Sequence, residues 1–208
     1  MIKGMTAHML LKQSHELKAG EVVLIHAMTG GVGTLLSEWA RSIGATVIGT
    51  VGSVAKKDLA LTRGFDLVID ISAENFAEKV KKITDDKGID VFYDSIGVAT
   101  FQKSLELVKP GGSAVLYGWA SGMPEINTAF IEQRKINFVQ AVLNHYPAYQ
   151  DKSGKALPEI FSLVRNKVFQ LKKPLIYPLS NANQAHADLE ERKTTGSIIL
   201  VPAIVKPL

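Results

Sequence analysis

At 208 residues, with 46% hydrophobic and 21% charged side chains, the chain can bury a sizeable core and has a globular composition, not a disordered or fibrous one. It contains no cysteine, which excludes disulfides and cysteine-ligated zinc or iron–sulfur centres, and its five histidines (His8, His15, His26, His145 and His186) show no metal-ligand spacing, so no metal is expected. The formal charge of +4 is spread in short lysine pairs, no apolar run reaches the ~18 residues of a membrane span, and the N-terminus lacks a signal-peptide core, so a cytoplasmic protein without a membrane partner is expected.

The opening segment "MIKGMTAHMLLKQSHELKAG" reads as a helix ending at Gly20. Six valine- and isoleucine-rich stretches follow, at 21–27, 46–51, 66–71, 89–96, 113–118 and 136–143, several of them apolar on both faces as buried parallel strands are. Between them lie "GTLLSEWARSIG", "VAKKDLALTRG", "NFAEKVKKITDDKG" and "TFQKSLELVKPGG", whose apolar residues recur at three and four and which mostly stop at glycine. Strand and helix in alternation predict right-handed crossovers and an α/β fold with a doubly wound parallel sheet of Rossmann type. After residue 118 the alternation changes: "ASGMPEINT" and "HYPAYQDKSGKALP" read as loops, followed by a helix over about 157–167, a strand "LIYPLS", a helix "NANQAHADLEERK" and a strand "GSIILVP". The expected division is a nucleotide-binding domain with its leading helix over 1–150 and a C-terminal segment, 151–208, belonging to an incomplete second domain.

A glycine loop follows the first strand. In "HAMTGGVG" the second and third glycines of a dinucleotide fingerprint are present as Gly30 and Gly33, and Met28 stands at the first. Its place at the first strand-to-helix turn puts the unpaired N–H groups of a helix N-terminus where they can hold an anion. The second strand runs into "TVGS" without the acid that would accept from the ribose hydroxyls of NAD, and Lys56 and Lys57 follow. A small neutral turn beside cations suits a 2′-phosphate, so NADP(H) is favoured; an exposed helix lysine is the plainer reading of Lys56.

Taken in order, "KGMTAHMLL", "LIHAMTGGVGTLLSEWARSIGATVIGTVGS", "VFYDSIG", "LYGWASG" and "RKTTGSIILVP" resemble the zinc-independent, zeta-crystallin-like quinone oxidoreductases of the medium-chain dehydrogenase/reductase superfamily, over essentially the whole chain. The resemblance implies a Rossmann domain beside a catalytic barrel, most of it supplied by a further N-terminal domain that this chain does not include. It implies an NADPH site with Gly30, Gly31 and Val32 at the pyrophosphate and Gly52, Ser53 and Lys56 around the 2′-phosphate. Ser95 would lie beneath the adenosine, Tyr117 and Gly118 along the nicotinamide half, Arg192 would approach from the C-terminal segment, and Thr6 would lie near the nicotinamide. The chain departs from the pattern at Ile71, where relatives usually have tyrosine, at Gln140 and Ala141, where they often have Arg-Pro, and at Met28, which replaces a usual alanine.

The activity so implied is hydride transfer from NADPH to a quinone or activated enone, with the enzyme mainly positioning the two. No Ser-His-Asp arrangement or carboxylate pair stands out, His26 reads as a core histidine, Asp90 and Asp94 as loop and cap residues, and no catalytic residue is named. An enoyl-thioester reductase also fits the glycine loop. A non-catalytic nucleotide- or RNA-binding module is suggested by the charge, but aromatics are only 7% of residues, so a nucleic-acid partner is not expected. The stretch 136–143 would form an exposed edge of the sheet, and the resemblance implies that it pairs with its copy in a homodimer.

Overall fold

The computed structural model describes residues 1–146, 154, 156–171, 173–191, 193–194 and 197–202. They form two compact units, Met1–Phe169 and Gln170–Leu208. In the first, β1 (Val22–Ile25), β2 (Thr46–Val51), β3 (Val68–Asp70), β4 (Ile89–Asp94), β5 (Val108–Leu116) and β6 (Asn137–Gln140) make one sheet in the order β3-β2-β1-β4-β5-β6. Every pairing is parallel. This is the doubly wound fold that the alternation predicts, with the strand order reversing between β1 and β4.

The strands are apolar on both faces because both are covered. Val23, Ile25, Val91, Tyr93 and Val115 face one core with α1 (Ile2–Met9), α2 (Gly31–Ile43), α3 (Val54–Leu61) and α7 (Ala156–Arg165); Leu24, Ile48, Phe92, Ala114 and Leu116 face the other with α4 (Phe76–Ile83) and α5 (Phe101–Leu105). Successive residues of one strand therefore enter different cores, as a period of two requires.

The leading helix is shorter than the sequence pattern suggests. α1 passes into a π-helical turn, Leu10–Ser14, and His15 leaves helical backbone at φ −152°. Its ring is held between Ser113 Oγ (2.9 Å) and Glu21 Oε2 (3.1 Å), which ties the end of the helix to the base of the sheet. Gly20, at φ +86°, turns the chain into β1 instead of capping a helix. β5 starts at Val108, within the stretch read as helical, because α5 ends at Leu105 and the strand's register shifts against β4 between Ile89 and Val91. A short helix, α6 (Thr128–Gln133), lies where only a loop and strand are expected; Asn127 caps it by accepting from the Phe130 N–H at 3.0 Å.

In the second unit, β7 (Leu175–Pro178) and β8 (Ile198–Val201) pair in parallel across α8 (Ala182–Glu190). The Tyr177 hydroxyl donates to Asp188 Oδ2 at 2.8 Å, and Ile176 and Ile199 stay exposed.

Two histidines are built into the core of the first unit as neutral rings. The Ser104 hydroxyl donates its proton to the Thr100 carbonyl (2.9 Å), so it accepts from His26 Nε2 at 2.7 Å, and His26 Nδ1 accepts from Thr50 Oγ1 at 2.9 Å. Burial lowers the His26 pKa from the ordinary 6.5, against a smaller opposing pull from Asp94. His8 links Tyr146 to Glu159 and is lowered in the same direction, chiefly by burial. A group held neutral in the fold but protonated in the unfolded chain contributes stability above the unfolded value and loses it as pH falls. The unfolding free energy should therefore drop below about pH 6.5, by up to about 1.4 kcal/mol per pH unit for each ring. Urea midpoints at a series of pH values would show this, and a midpoint that is level through that window would contradict it.

Candidate functional site

Because the strands are parallel, their carboxyl ends share one edge, and the chain leaves β1 and β4 there in opposite directions, opening a crevice of the kind that binds ligands in such sheets. At the end of β1, Ala27 takes a left-handed backbone, φ +51°, a costly conformation for a residue with a Cβ. Its carbonyl accepts from the Gly30 N–H at 2.8 Å, closing the turn. A Cβ on Gly33 would lie 2.3 Å from the Ala27 oxygen and 2.9 Å from Met28 Cα, so only glycine lets α2 approach β1 this closely. This is the close-packing role of the third glycine in the fingerprint.

The absent first glycine is compensated in the neighbouring strand. Met28 is buried, and its Sδ lies 1.9 Å from where a Cβ on Gly49 would stand, so Gly49 in β2 clears the space that the methionine fills. Nothing local in "HAMTGGVG" indicates this, because the compensating residue is 21 positions further on.

At thirteen residues α2 is long, yet its N-terminus has no side-chain cap and no acid in its first turn. By contrast, Ser53 caps α3, Asn75 caps α4 and Asn127 caps α6. The three candidate phosphate residues Gly30, Gly31 and Val32 thus sit at an open positive helix end facing the crevice.

Gly52 is exposed with nothing within 4 Å of a Cβ position, and the Ser53 hydroxyl accepts from the Lys56 N–H at 3.4 Å. Ser53 thus serves as a helix cap in addition to any contact it makes with a ligand. The two adjacent lysines separate here. Lys57 Nζ is 2.8 Å from Glu74 Oε1, and Lys79 Nζ is 3.0 Å from Glu74 Oε2. These two ammonium groups, Lys57 first, bring the Glu74 carboxyl down to about 2. The half-buried Lys56 ammonium makes no ion pair among the described residues, so it is the cation left beside the β2 turn. Ile71, after β3, offers no hydroxyl there.

Beyond β4, buried Asp94 organises the loop. Oδ1 accepts from the N–H groups of Ile96 (2.6 Å) and Gly97 (3.2 Å), and Oδ2 accepts from Thr100 Oγ1 at 2.8 Å. Asp94 is thus a loop-holding residue, as expected. The loop brings Ser95 against Gly118: a Cβ there would lie 3.1 Å from the Ser95 carbonyl oxygen and 3.2 Å from its Cα. Burial pushes the neighbouring Tyr117 phenol up to about 12, partly offset by a hydrogen bond with Ser95. Tyr117 therefore keeps its proton near pH 7 and presents a neutral hydroxyl beside Ser95. Ser95, Tyr117 and Gly118 form one cluster, whereas Thr6 lies on α1, half-buried, with its hydroxyl donating to the Ile2 carbonyl at 3.0 Å. Arg192 lies outside the described residues.

Residues 31–160 match the protein-family model described as "Zinc-binding dehydrogenase". The chain is 40% identical to a 2-haloacrylate reductase of Burkholderia over 206 residues, covering 97% of this chain and 62% of that protein. It is 38% identical to a quinone oxidoreductase of Pseudomonas aeruginosa, covering 97% of this chain and 63% of the relative. The crystal structure of an Escherichia coli quinone oxidoreductase complexed with NADPH superposes with a TM-score of 0.89 at 35% identity, over 97% of this chain and 63% of that one. The chain therefore spans less than two thirds of the length of these relatives. The family description implies zinc, but among the described residues no group of three or more histidine, cysteine, aspartate or glutamate side chains could hold a metal ion.

The Met28–Gly49 contact generates a coupling prediction. Gly49→Ala alone should cost roughly 2 kcal/mol by overpacking, and Met28→Ala should recover a large part of that cost in the double variant. Denaturant unfolding of the four proteins measures the coupling, and purely additive costs would show that the two residues do not share the space.

Proposed function

Given that the chain belongs to the zinc-binding dehydrogenase family, on the zinc-independent quinone-oxidoreductase branch of the medium-chain dehydrogenase/reductase superfamily, we propose that it is the cofactor-binding portion of an NADPH-dependent oxidoreductase acting on a quinone or activated enone. The bound dinucleotide would supply a hydride. The chain's own contribution is to hold and orient it.

In this reading the amides of Gly31 and Val32 hold the pyrophosphate at the α2 N-terminus, with Gly30, whose N–H closes the turn on the Ala27 carbonyl, lining the same seat. Gly52, Ser53 and Lys56 take the 2′-phosphate, Ser95 lies beneath the adenosine, and Tyr117, Gly118 and Thr6 border the nicotinamide half. The observation that carries the reading is the uncapped end of α2 at the point where the strand order reverses, beside a β2 turn that has a lysine and no acid. Relatives named for quinones and for a haloacrylate support an acceptor whose double bond is conjugated to a carbonyl group. No catalytic proton donor is assigned, and His26 is enclosed in the core.

We assign the protein to the cytoplasm and its partners to small molecules and a second copy of the chain. β6 is the sheet's outer strand opposite β3, and the absence of any fully buried residue along it supports pairing with the same strand of a partner. The exposed apolar Ile176 and Ile199 support assigning the C-terminal segment to a second, barrel-type domain.

Equilibrium titration with NADPH and NADH tests the cofactor assignment. NADPH should bind more tightly, and Lys56→Ala should weaken NADPH about tenfold, the ~1.4 kcal/mol of one charge-assisted contact, while leaving NADH unchanged. Equal binding of the two nucleotides, or a preference for NADH, would overturn it. Light scattering at micromolar concentration should give a dimer mass, and a monomer would overturn the strand pairing.

A further inference from the structure

The opening turn of α3 places two lysines, Lys56 and Lys57, at the positive end of a helix dipole with no acid in that turn. Their surroundings differ. Lys57 Nζ lies 2.8 Å from Glu74 Oε1, and Lys79 Nζ, from α4, lies 3.0 Å from Glu74 Oε2, so a single carboxylate holds one ammonium on each oxygen. The Asp70 N–H donates to Oε1 at 3.1 Å, which fixes the carboxylate at the end of β3, the strand beside β2. The Asp70 carboxylate itself is turned to Ser72, whose N–H and hydroxyl donate to Oδ1 at 3.0 and 2.7 Å, so Glu74 is the acid that holds Lys57.

These contacts keep Glu74 ionised throughout the neutral range: the Lys57 ammonium, then that of Lys79, then the Asp70 amide bring its carboxyl down to about 2. The pair is also partly shielded, with the Lys57 and Glu74 side chains 33% and 22% exposed, so salt screens it less than a pair on the open surface. The α-carbons of Lys56 and Lys57 are neighbours, about 3.8 Å apart. Their ammonium groups part company, because Glu74 draws that of Lys57 to the loop after β3 and leaves that of Lys56 beside the Gly52–Ser53 turn. A 2′-phosphate is a monoester carrying about −1.5 to −2 charges at pH 7, and one ammonium neutralises only part of that.

We infer that Glu74 sets the strength of the 2′-phosphate site by withholding Lys57 from it. Glu74 is a positioning residue: it touches no ligand, and it determines whether one ammonium or two meet the phosphate. The inference rests on the cofactor assignment made above and deepens it. One contact is enough to distinguish NADPH from NADH, which lacks the 2′-phosphate. A second would add its affinity mainly as slower release of a dinucleotide that must be exchanged after every hydride transfer.

The test is fluorescence titration of the full chain with NADPH and with NADH at low and high salt. Glu74→Gln keeps the shape of the side chain and removes its charge. It should tighten NADPH about tenfold, the worth of one charge-assisted contact, steepen the salt dependence of NADPH binding and leave NADH within about twofold. Lys57→Met in the parent should change NADPH affinity by less than about twofold, unlike Lys56→Ala, and in the Glu74→Gln background it should remove the gain. Unchanged or weaker NADPH binding by folded Glu74→Gln, an equal shift of both nucleotides, or a gain that survives Lys57→Met would overturn the inference. So would Lys57→Met weakening NADPH as much as Lys56→Ala does, a result that needs no Glu74 variant to fold. Each of these leaves the cofactor assignment standing, whereas a parent that binds the two nucleotides equally would overturn both.

Discussion

The first turn of α2 packs so close to the end of β1 that a Cβ on Gly33 would lie 2.3 Å from the Ala27 carbonyl oxygen. There is no room for a Cβ at residue 33, and that absence fixes how near α2 can come to β1. Because α2 is drawn onto the end of the strand, its first turn opens into the crevice instead of being covered by a flanking loop. The left-handed Ala27 and the Gly30-to-Ala27 hydrogen bond complete the turn. Everything assigned to a phosphate depends on this contact, since an N-terminus held even one turn away would present its N–H groups to solvent.

The sheet makes that contact reproducible. A parallel sheet buried on both faces places the ends of β1, β2, β4 and β5 along one edge, so four separate stretches of chain meet there without any of them being long. Each is then fixed by its own local device. Ser53 caps α3, Glu74 engages Lys57 and Lys79 and so leaves Lys56 apart, and Asp94 folds the loop that sets Ser95 against Gly118. Loop residues act on a ligand only when a rigid frame positions them, and here the frame is the sheet and the clamps are local hydrogen bonds.

The elements that could be read from the sequence are those whose signal is local and periodic. β2 is recovered at its expected bounds, Thr46–Val51, because all its residues but Gly49 are β-branched, and α2 ends at Ile43 with Gly44 left-handed behind it, as a glycine stop predicts. Where the signal is long-range, it was hidden. The π-helical turn at Leu10–Ser14 ends where His15 finds Ser113, nearly a hundred residues away, and no pattern within the helix announces that. α6 was missed because its cap, Asn127, sits within a stretch whose proline and glycine read as loop.

The site was legible in its residue types and not in its pairings. Glycines after a first strand and a lysine after a second are visible in one dimension, but the use of Gly49 to admit Met28 is a property of packing. The central claim is that the amides opening α2 are the phosphate clamp. Amide chemical-shift mapping of the chain during an NADPH titration tests it most directly. Saturable shifts concentrated at residues 30–34 and 52–56 are the predicted result, and saturable binding that leaves those amides unmoved would contradict the account.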